Sequence, residues 1–377
     1  MKINENALRE KIIVALKSQG FAINPHLRPE NDEKDTIKRI HEQKRKEQLK
    51  FHKKFLIKYL KKIETASISS KELKPRKIKL DLIEVAPDSF QSKLFFWWNL
   101  VWWSIPYDKP IGRQMRYLLW DTYHDAPFGL FCLQSPPLRS TVRDRFLGLN
   151  NGNIDYWINQ SLYGQRIGAL PPYNDLLGGK MVTLAIVSNE VREAYAKKYK
   201  KRKTLLKDRE LPNRLLFVTT TSAYGKSSVY ERIVYDGGAV SHFIGYTTGS
   251  GTFHVPEGLY LECLQYLEEK GKDIKRGYGT GPSRKMKLIA NALSYLKIPT
   301  LAYHNIKRGY YLLPNVENLK GVIHQNQGPI WYDRPFDKLT KFWLKRWCIP
   351  RSNRIDDWRA FEKEEFFSRA EYEIFNL

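Results

Sequence analysis

Apolar residues recur at helical spacing in Ala7–Ser18, and Gly20, Pro25 and Pro29 follow, so the pattern predicts a short first helix. In Lys34–Lys79 Leu49, Leu56 and Ile63 recur at seven, and Phe51, Phe55 and Tyr59 at four. That spacing draws one broad apolar face on a helix ringed by Lys and Arg. Helical patterning returns in Arg113–His124, Trp157–Leu170, Asn189–Tyr199, Leu259–Lys270 and Ser283–Leu296. The amphipathic Val229–Tyr235 has a similar look. β-Branched or uniformly apolar runs predict strands at Phe128–Leu133, Val142–Gly148, Met181–Ser188, Leu215–Thr221, His242–Tyr246 and within Leu301–Pro314.

Strands mixed with helices, without a strict βαβ repeat, predict an α/β (α+β) fold with a central mixed sheet flanked by helices. No period of 20–50 residues recurs, which excludes a repeat architecture. Three parts are expected: a basic helical extension over 1–82, a mixed core over 83–325, and a Trp/Arg-rich segment over 326–377 packing on that core.

The 377 residues carry a net charge of +24, which favours a polyanionic partner. Lys34–Lys79 holds seventeen Lys/Arg against five Asp/Glu, a net of +12, or half of the surplus. It reads either as a solvated helix packed on the core or, preferred here, as an arm that neutralises phosphates through Lys44, Arg45, Lys46, Lys50, Lys53 and Lys54. As an extended strand, Val142–Gly148 would put Arg143 and Arg145 on one face, and Lys226 is a further candidate. Lys307 and Arg308, like the cations of Lys341–Trp347, sit beside aromatic rings, either to stack on nucleic acid or as side chains snorkelling over a core. The cysteines Cys132, Cys263 and Cys348 form no CxxC pair, which fits a reducing compartment and no zinc site. Leu94–Trp103 is intensely apolar but only ten residues long, where a membrane span needs ~20. The opening MKINENALREK is not uniformly apolar, so no secretory signal is expected.

Candidate chemistry centres on Asn213–Val255. Strand-like runs there end in loops of Gly, Ser and Thr, and such loops present unpaired N–H groups and hydroxyls. Thr221, Ser222, Tyr224, Tyr230 and His254 are candidate pocket residues, with the Thr219–Ser228 and Ser250–His254 loops expected at one end of a shared sheet. Arg276, Gly279 and Gly281 complete the R-x-x-G-x-G spacing that acetyltransferases of the GNAT superfamily place before a helix to hold a coenzyme pyrophosphate, which would make the core a distant GNAT relative. No strand runs into this loop, however, and Val229–Tyr235 precedes it where such enzymes place a Tyr-containing helix after it. Tyr224–Ser228 lacks the first glycine of a phosphate-binding P-loop. Adjacent His124 and Asp125 read as a cap or turn, and nothing calls for a metal or a cofactor.

Several segments taken together resemble one family. GRQMRYLLWDTYHDAPFG, VRDRFLG, GALPPYNDLLGGKMVTLA, TTTSAYGKSSVYERI, IGYTTGSGTFHV and GYGTGPSRKMKLI, spread over roughly residues 90–325, resemble the DruA family of the bacterial anti-phage systems called Druantia. The length and basic extension suit the version found in the five-gene, type I system. The resemblance implies a cytoplasmic antiviral component that acts with sister proteins, among them a large helicase-like one, and it supplies no catalytic residues. Three functions follow: a subunit that binds nucleic acid, with phage DNA the expected ligand; a GNAT-like enzyme modifying nucleic acid or a small molecule; and a scaffold that docks partner proteins.

Overall fold

A computed structural model describes residues 3–204, 207–275 and 283–377. Seven strands build the central sheet: β1 (Leu80–Glu84), β2 (Gln114–Asp121), β3 (Ala126–Gln134), β4 (Ser161–Ala169), β5 (Phe217–Thr221), β6 (His242–Tyr246) and β7 (Gly309–Pro314). Their spatial order is β6-β7-β5-β4-β3-β2-β1. Every neighbouring pair is antiparallel except β4 and β5, which run parallel from Ser161 opposite Phe217 to Gly164 opposite Thr220. The remainder of β4 is not paired with β5. The sheet is therefore mixed and flanked by helices, as the sequence predicts.

Helices cover both faces. In chain order they begin with α1 (Glu5–Ser18), α2 (Lys34–Phe51), α3 (Lys53–Thr65) and α4 (Phe90–Val101). The short α5 (Thr141–Leu147) and α6 (Ile154–Ile158) lead into β4, and α7 (Gly178–Ile186) and α8 (Asn189–Lys198) cross from β4 to β5. After β6 come α9 (Glu257–Glu269) and α10 (Arg284–Tyr295), and after β7 come α11 (Leu319–His324), α12 (Phe336–Trp343) and α13 (Lys363–Phe375). Met115, Tyr117, Leu119, Phe131 and Leu133 turn to one face, against Leu184 of α7 and Leu339 and Trp343 of α12. Leu118, Leu130 and Cys132 turn to the other, against Leu56 and Ile63 of α3, Trp97 and Trp98 of α4, and Phe367 of α13. That is the alternation of period two expected of strands buried on both sides. A third core joins α1, the first half of α2, α9 and α10.

The apolar stripe of Lys34–Lys79 is core. Leu49, Leu56, Leu60 and Ile63 are all buried, and Trp97 donates its indole N–H to the Leu56 carbonyl at 3.1 Å. The first half of α2 belongs to the helical core through Ile37 and Ile40, whereas Leu49 and α3 lie on the sheet. The segment is thus packed along its length, which is the alternative reading of the pattern.

Five local expectations are overturned. Arg113–His124 and Trp157–Leu170 contain strands β2 and β4 instead of helices, because residues buried on alternate sides mimic a helical stripe. Met181–Ser188 falls largely in helix α7, whose Met181, Val182, Leu184, Ala185 and Ile186 are all buried. With no exposed side, no period survives in the sequence. Val142–Gly148 covers helix α5 and its C-cap, Gly148 in the left-handed region at φ 64°. Val229–Tyr235 forms turns and the start of a two-residue ladder, with Arg232 at φ 58°.

Candidate functional site

Because β5 and β6 are each antiparallel to β7, their carboxyl ends emerge at the same end of the sheet, where β7 begins. The loops after Thr221 and Tyr246 therefore meet beside Arg308. Helix α2 passes across this end on its way from the helical core to the sheet. Between them lies a cleft of about 620 Å³, within the range of small-ligand sites. One wall is the 247–253 loop (TTGSGTF), another is His41, Lys44 and Gln48 of α2, and a third is Ile105, Pro106 and Asp108. Ser283 and Lys285 at the start of α10 close it; the Ser283 hydroxyl caps that helix by accepting from the Met286 N–H at 3.3 Å.

Arg308 dominates the electrostatics. Its Nη2 lies 2.9 Å from Nε2 of His41, and its Nε is buried with no hydrogen-bond partner. No carboxylate lies within ion-pairing distance of it among the described residues. Burial lowers its pKa, against the pull of Tyr163, Asp108 and Tyr224. Guanidinium has no acceptor, so His41 must accept at Nε2 and carry its proton on Nδ1, which donates to the Ile37 carbonyl at 2.7 Å. Burial, then the nearby Arg308 charge, push the His41 pKa down to about 3. The imidazole is neutral, and the Phe253 ring stacks on it at 4.2 Å.

The rest of the lining mixes hydroxyls and apolar groups, and its charged side chains are mostly cationic. Tyr163 and Thr221 share a hydroxyl hydrogen bond of 2.6 Å across β4 and β5. Lys44 and Lys285 converge on Glu257, at 3.3 and 2.8 Å, and Lys44 also meets Glu47 at 2.9 Å. Among the described lining residues Asp108 is the one carboxylate, against Lys44, Arg139, Lys285 and Arg308. Arg166, held at φ 55°, donates to the carbonyls of Ile105 and Pro106 and so fixes that wall. The arrangement can bind an anion: amides and hydroxyls on one side, and on the other a guanidinium that forms no ion pair.

Of the residues singled out in the sequence, Lys44, Thr221 and Arg308 line this cleft. Ser222 is beside it but committed, its N–H donating to the Gly309 carbonyl and its hydroxyl accepting from the Gly309 N–H, both at 2.8 Å. Tyr224 bonds Ser104, and Tyr230 packs on Tyr311. His254 is buried in the helical part, donating from Nε2 to the Leu301 carbonyl at 3.1 Å; burial lowers its pKa to about 4. Arg276, Gly279 and Gly281 lie outside the described residues.

The cations predicted along the surface are scattered. Arg143 is fully buried, its guanidinium spent on Asp144 and the carbonyls of Pro137 and Leu138. In helix α5, exposed Arg145 cannot share its face, which corrects the pairing expected of a strand. Arg45 grips Glu373 through both of its terminal nitrogens, Lys46 pairs with Glu42, and Lys53 reaches the Phe375 carbonyl. Lys226 lies 4.4 Å from the Phe243 ring centre. Lys50, Lys54 and Lys307 are exposed. His124 bonds Asp121, and Asp125 accepts from Trp120, so the two form no acid–base pair. His41, Asp108, Tyr163, Lys285 and His304 are cleft residues without a sequence signal; the nearest was the small, hydroxyl-rich 247–253 loop.

The sequence profile described as "Druantia protein DruA" matches residues 31–325. The chain belongs to the DruA family. It is 30% identical over 374 residues to the Druantia protein DruA of Escherichia coli strain UMEA 4076-1, a match spanning 97% of this chain and 92% of that protein. Membership of the DruA family makes the chain a component of a Druantia anti-phage defence system. A stretch of 68 residues, 18% of the chain, is 35% identical to the mouse cyclin-dependent kinase 2-associated protein 1; so short a match says nothing about the remaining four fifths. No solved structure matches. Among the described residues no helix is long and apolar enough to cross a membrane, and no group of His, Cys, Asp and Glu is placed to hold a metal ion.

Proposed function

We propose that this DruA-family protein serves its defence system by binding nucleic acid, with the phosphates held in the cleft at the carboxyl ends of β5 and β6. The observation that carries this reading is the guanidinium of Arg308. A half-buried cation whose hydrogen-bond partner is a neutral imidazole, and which feels Asp108 across the cleft but forms no ion pair with it, has lost water without gaining a direct counter-charge, which is costly until an anion arrives. The chain's +24 charge supplies long-range attraction for a polyanion. The expected ligand is phage DNA, met in the cytoplasm beside the other proteins of the system, including a helicase-like one.

The test is the salt dependence of oligonucleotide binding, read by fluorescence anisotropy. Phosphate-dominated binding weakens linearly in log–log form, with a slope near −0.7 per contact on single strands. Affinity that stays constant between low and moderate salt, or no binding at low salt, overturns the reading.

A further inference from the structure

A second groove of about 610 Å³ lies on the other side of the segment that follows β3. Its floor is apolar and aromatic, with Pro136, Leu138, Ile158 and Tyr199, and its rim carries Lys198, Arg202 and Lys203. No carboxylate is among its described lining residues. Lys198 and Lys203 are paired at the surface with Glu84 and Asp208, contacts that cost little to exchange for a phosphate. Arg202 is exposed, with no side-chain partner among the described residues.

The two grooves share one wall. Ser135, Pro136 and Leu138 line the second groove, whereas Pro137, Arg139 and Ser140 line the cleft. From Pro136 to Arg139 neighbouring residues line the two grooves in turn, so this one segment is the partition between them. Arg139 stands exposed on it, its Nη1 donating to the neutral Asn151 side chain at 2.6 Å. A ligand that leaves the cleft over this wall therefore meets cations before, on and after the crossing.

We propose that one single strand of nucleic acid runs from the cleft over residues 135–140 into the second groove, its phosphates following Arg308, Arg139 and Arg202. The proposal rests on the reading of the cleft given above and extends it to the class of ligand. Strand-binding proteins combine a cationic track with aromatic and apolar surfaces for the bases, and both halves occur here: an amide- and hydroxyl-lined cleft for phosphate and a Tyr199-bearing groove for bases. In a duplex the bases are stacked inward and could not reach the floor of the second groove.

The experiment compares labelled oligothymidylates of about four and about sixteen nucleotides, the span of known strand-binding sites, on the full chain at one salt concentration. Arg202→Glu is expected to weaken the longer oligomer at least fivefold and leave the shorter within twofold. Lys345→Glu, an exposed charge reversal that lines neither groove, controls for net charge and is expected to affect both lengths equally and slightly. Equal effects of Arg202→Glu and Lys345→Glu on the longer oligomer overturn the two-groove path while leaving the cleft reading intact. Absence of binding by the unaltered chain at either length removes the cleft reading itself. A blunt duplex of the same length that binds as tightly and shows the same loss on Arg202→Glu overturns the single-strand class. Polyglutamate that displaces the labelled strand as well as unlabelled strand does reassigns the path to an acidic peptide.

Discussion

Arg308 donates from Nη2 to Nε2 of His41 across 2.9 Å, and this contact fixes both the tautomer and the charge of the imidazole. A protonated His41 would have no acceptor to offer and would face the guanidinium as a like charge. Helix α2 is thereby tied to the start of β7 by a bond that exists only while His41 is neutral.

Stability should therefore fall in acid. His41, held at about 3, and His254, at about 4, bind protons less readily in the folded chain than in the unfolded one, where histidine titrates near 6.5. Burial depresses His304 as well. Unfolded chain takes up more protons throughout that interval, so stability is complete above about pH 6.5 and drains away as the pH falls toward 4 and 3. Thermal melts of His41→Gln, whose amide accepts a hydrogen bond without titrating, should show a flatter profile between pH 6.5 and 4. Identical profiles for the two proteins would rule out this contribution.

Replacing Arg308 with Met separates binding from folding. Removing a partly desolvated charge that forms no ion pair should cost little by itself, and the unpaired Nε2 left on His41 adds about 1–3 kcal/mol. Oligonucleotide affinity should drop at least tenfold, as expected for a hydrogen bond to a charged group worth about 1.5–3 kcal/mol, and the salt slope should become shallower by about one contact. Unchanged affinity and slope in the folded variant would move the phosphate site elsewhere.

The sequence was legible where an element has one wet side. Helices α1 and α10 bury Leu and Ile on a stripe, α9 buries Cys263, Tyr266 and Leu267, and each has an opposite side facing solvent, so their period is visible. Helix α7 and strand β3 are both dry on every side, and an apolar run of that kind has no period to distinguish helix from strand. In β4 the glycines hid a strand: a Cβ on Gly168 would sit 3.1 Å from the Trp103 ring, a contact formed across the fold that local propensity cannot carry. The site was half legible for the same reason. Thr221, Arg308 and the glycine- and threonine-rich loop announce themselves by composition, whereas His41 is one residue in a charged helix until the fold brings it to β7.

Leu56 offers a direct measure of how deeply the basic segment is built in. It is fully buried on α3 in the core that holds Trp97, Trp98 and Leu118, and Leu56→Ala should cost about 2–5 kcal/mol. Deleting residues 34–79 should leave an insoluble remainder, since Trp97, Trp98 and Leu118 would lose their cover. The urea midpoint and the solubility of the two proteins decide it. A soluble, cooperatively melting remainder would show that the segment is a separable arm after all.

Acetyl-coenzyme A should leave the melting temperature unchanged. A pyrophosphate sits where a strand runs into a glycine loop and the loop opens a helix, whose free N–H groups point at the anion. In this fold that junction, on the way from β4 to its parallel neighbour β5, is the turn 170–177 before α7. The turn is filled: Tyr173 and Leu176 are buried, a Cβ on Gly178 would meet the Tyr173 carbonyl at 2.6 Å, and the Trp343 indole donates to the Leu177 carbonyl at 3.1 Å. The glycine spacing of Arg276, Gly279 and Gly281 falls outside the described residues, and the segment that leads to it, 270–275, contains no strand. A ligand at a hundredfold excess over its dissociation constant stabilises by about 2.7 kcal/mol. An upward shift of several degrees with acetyl-coenzyme A, abolished by Gly279→Trp or Gly281→Trp in a chain that still folds, would place a coenzyme site at that loop and make the protein an enzyme candidate.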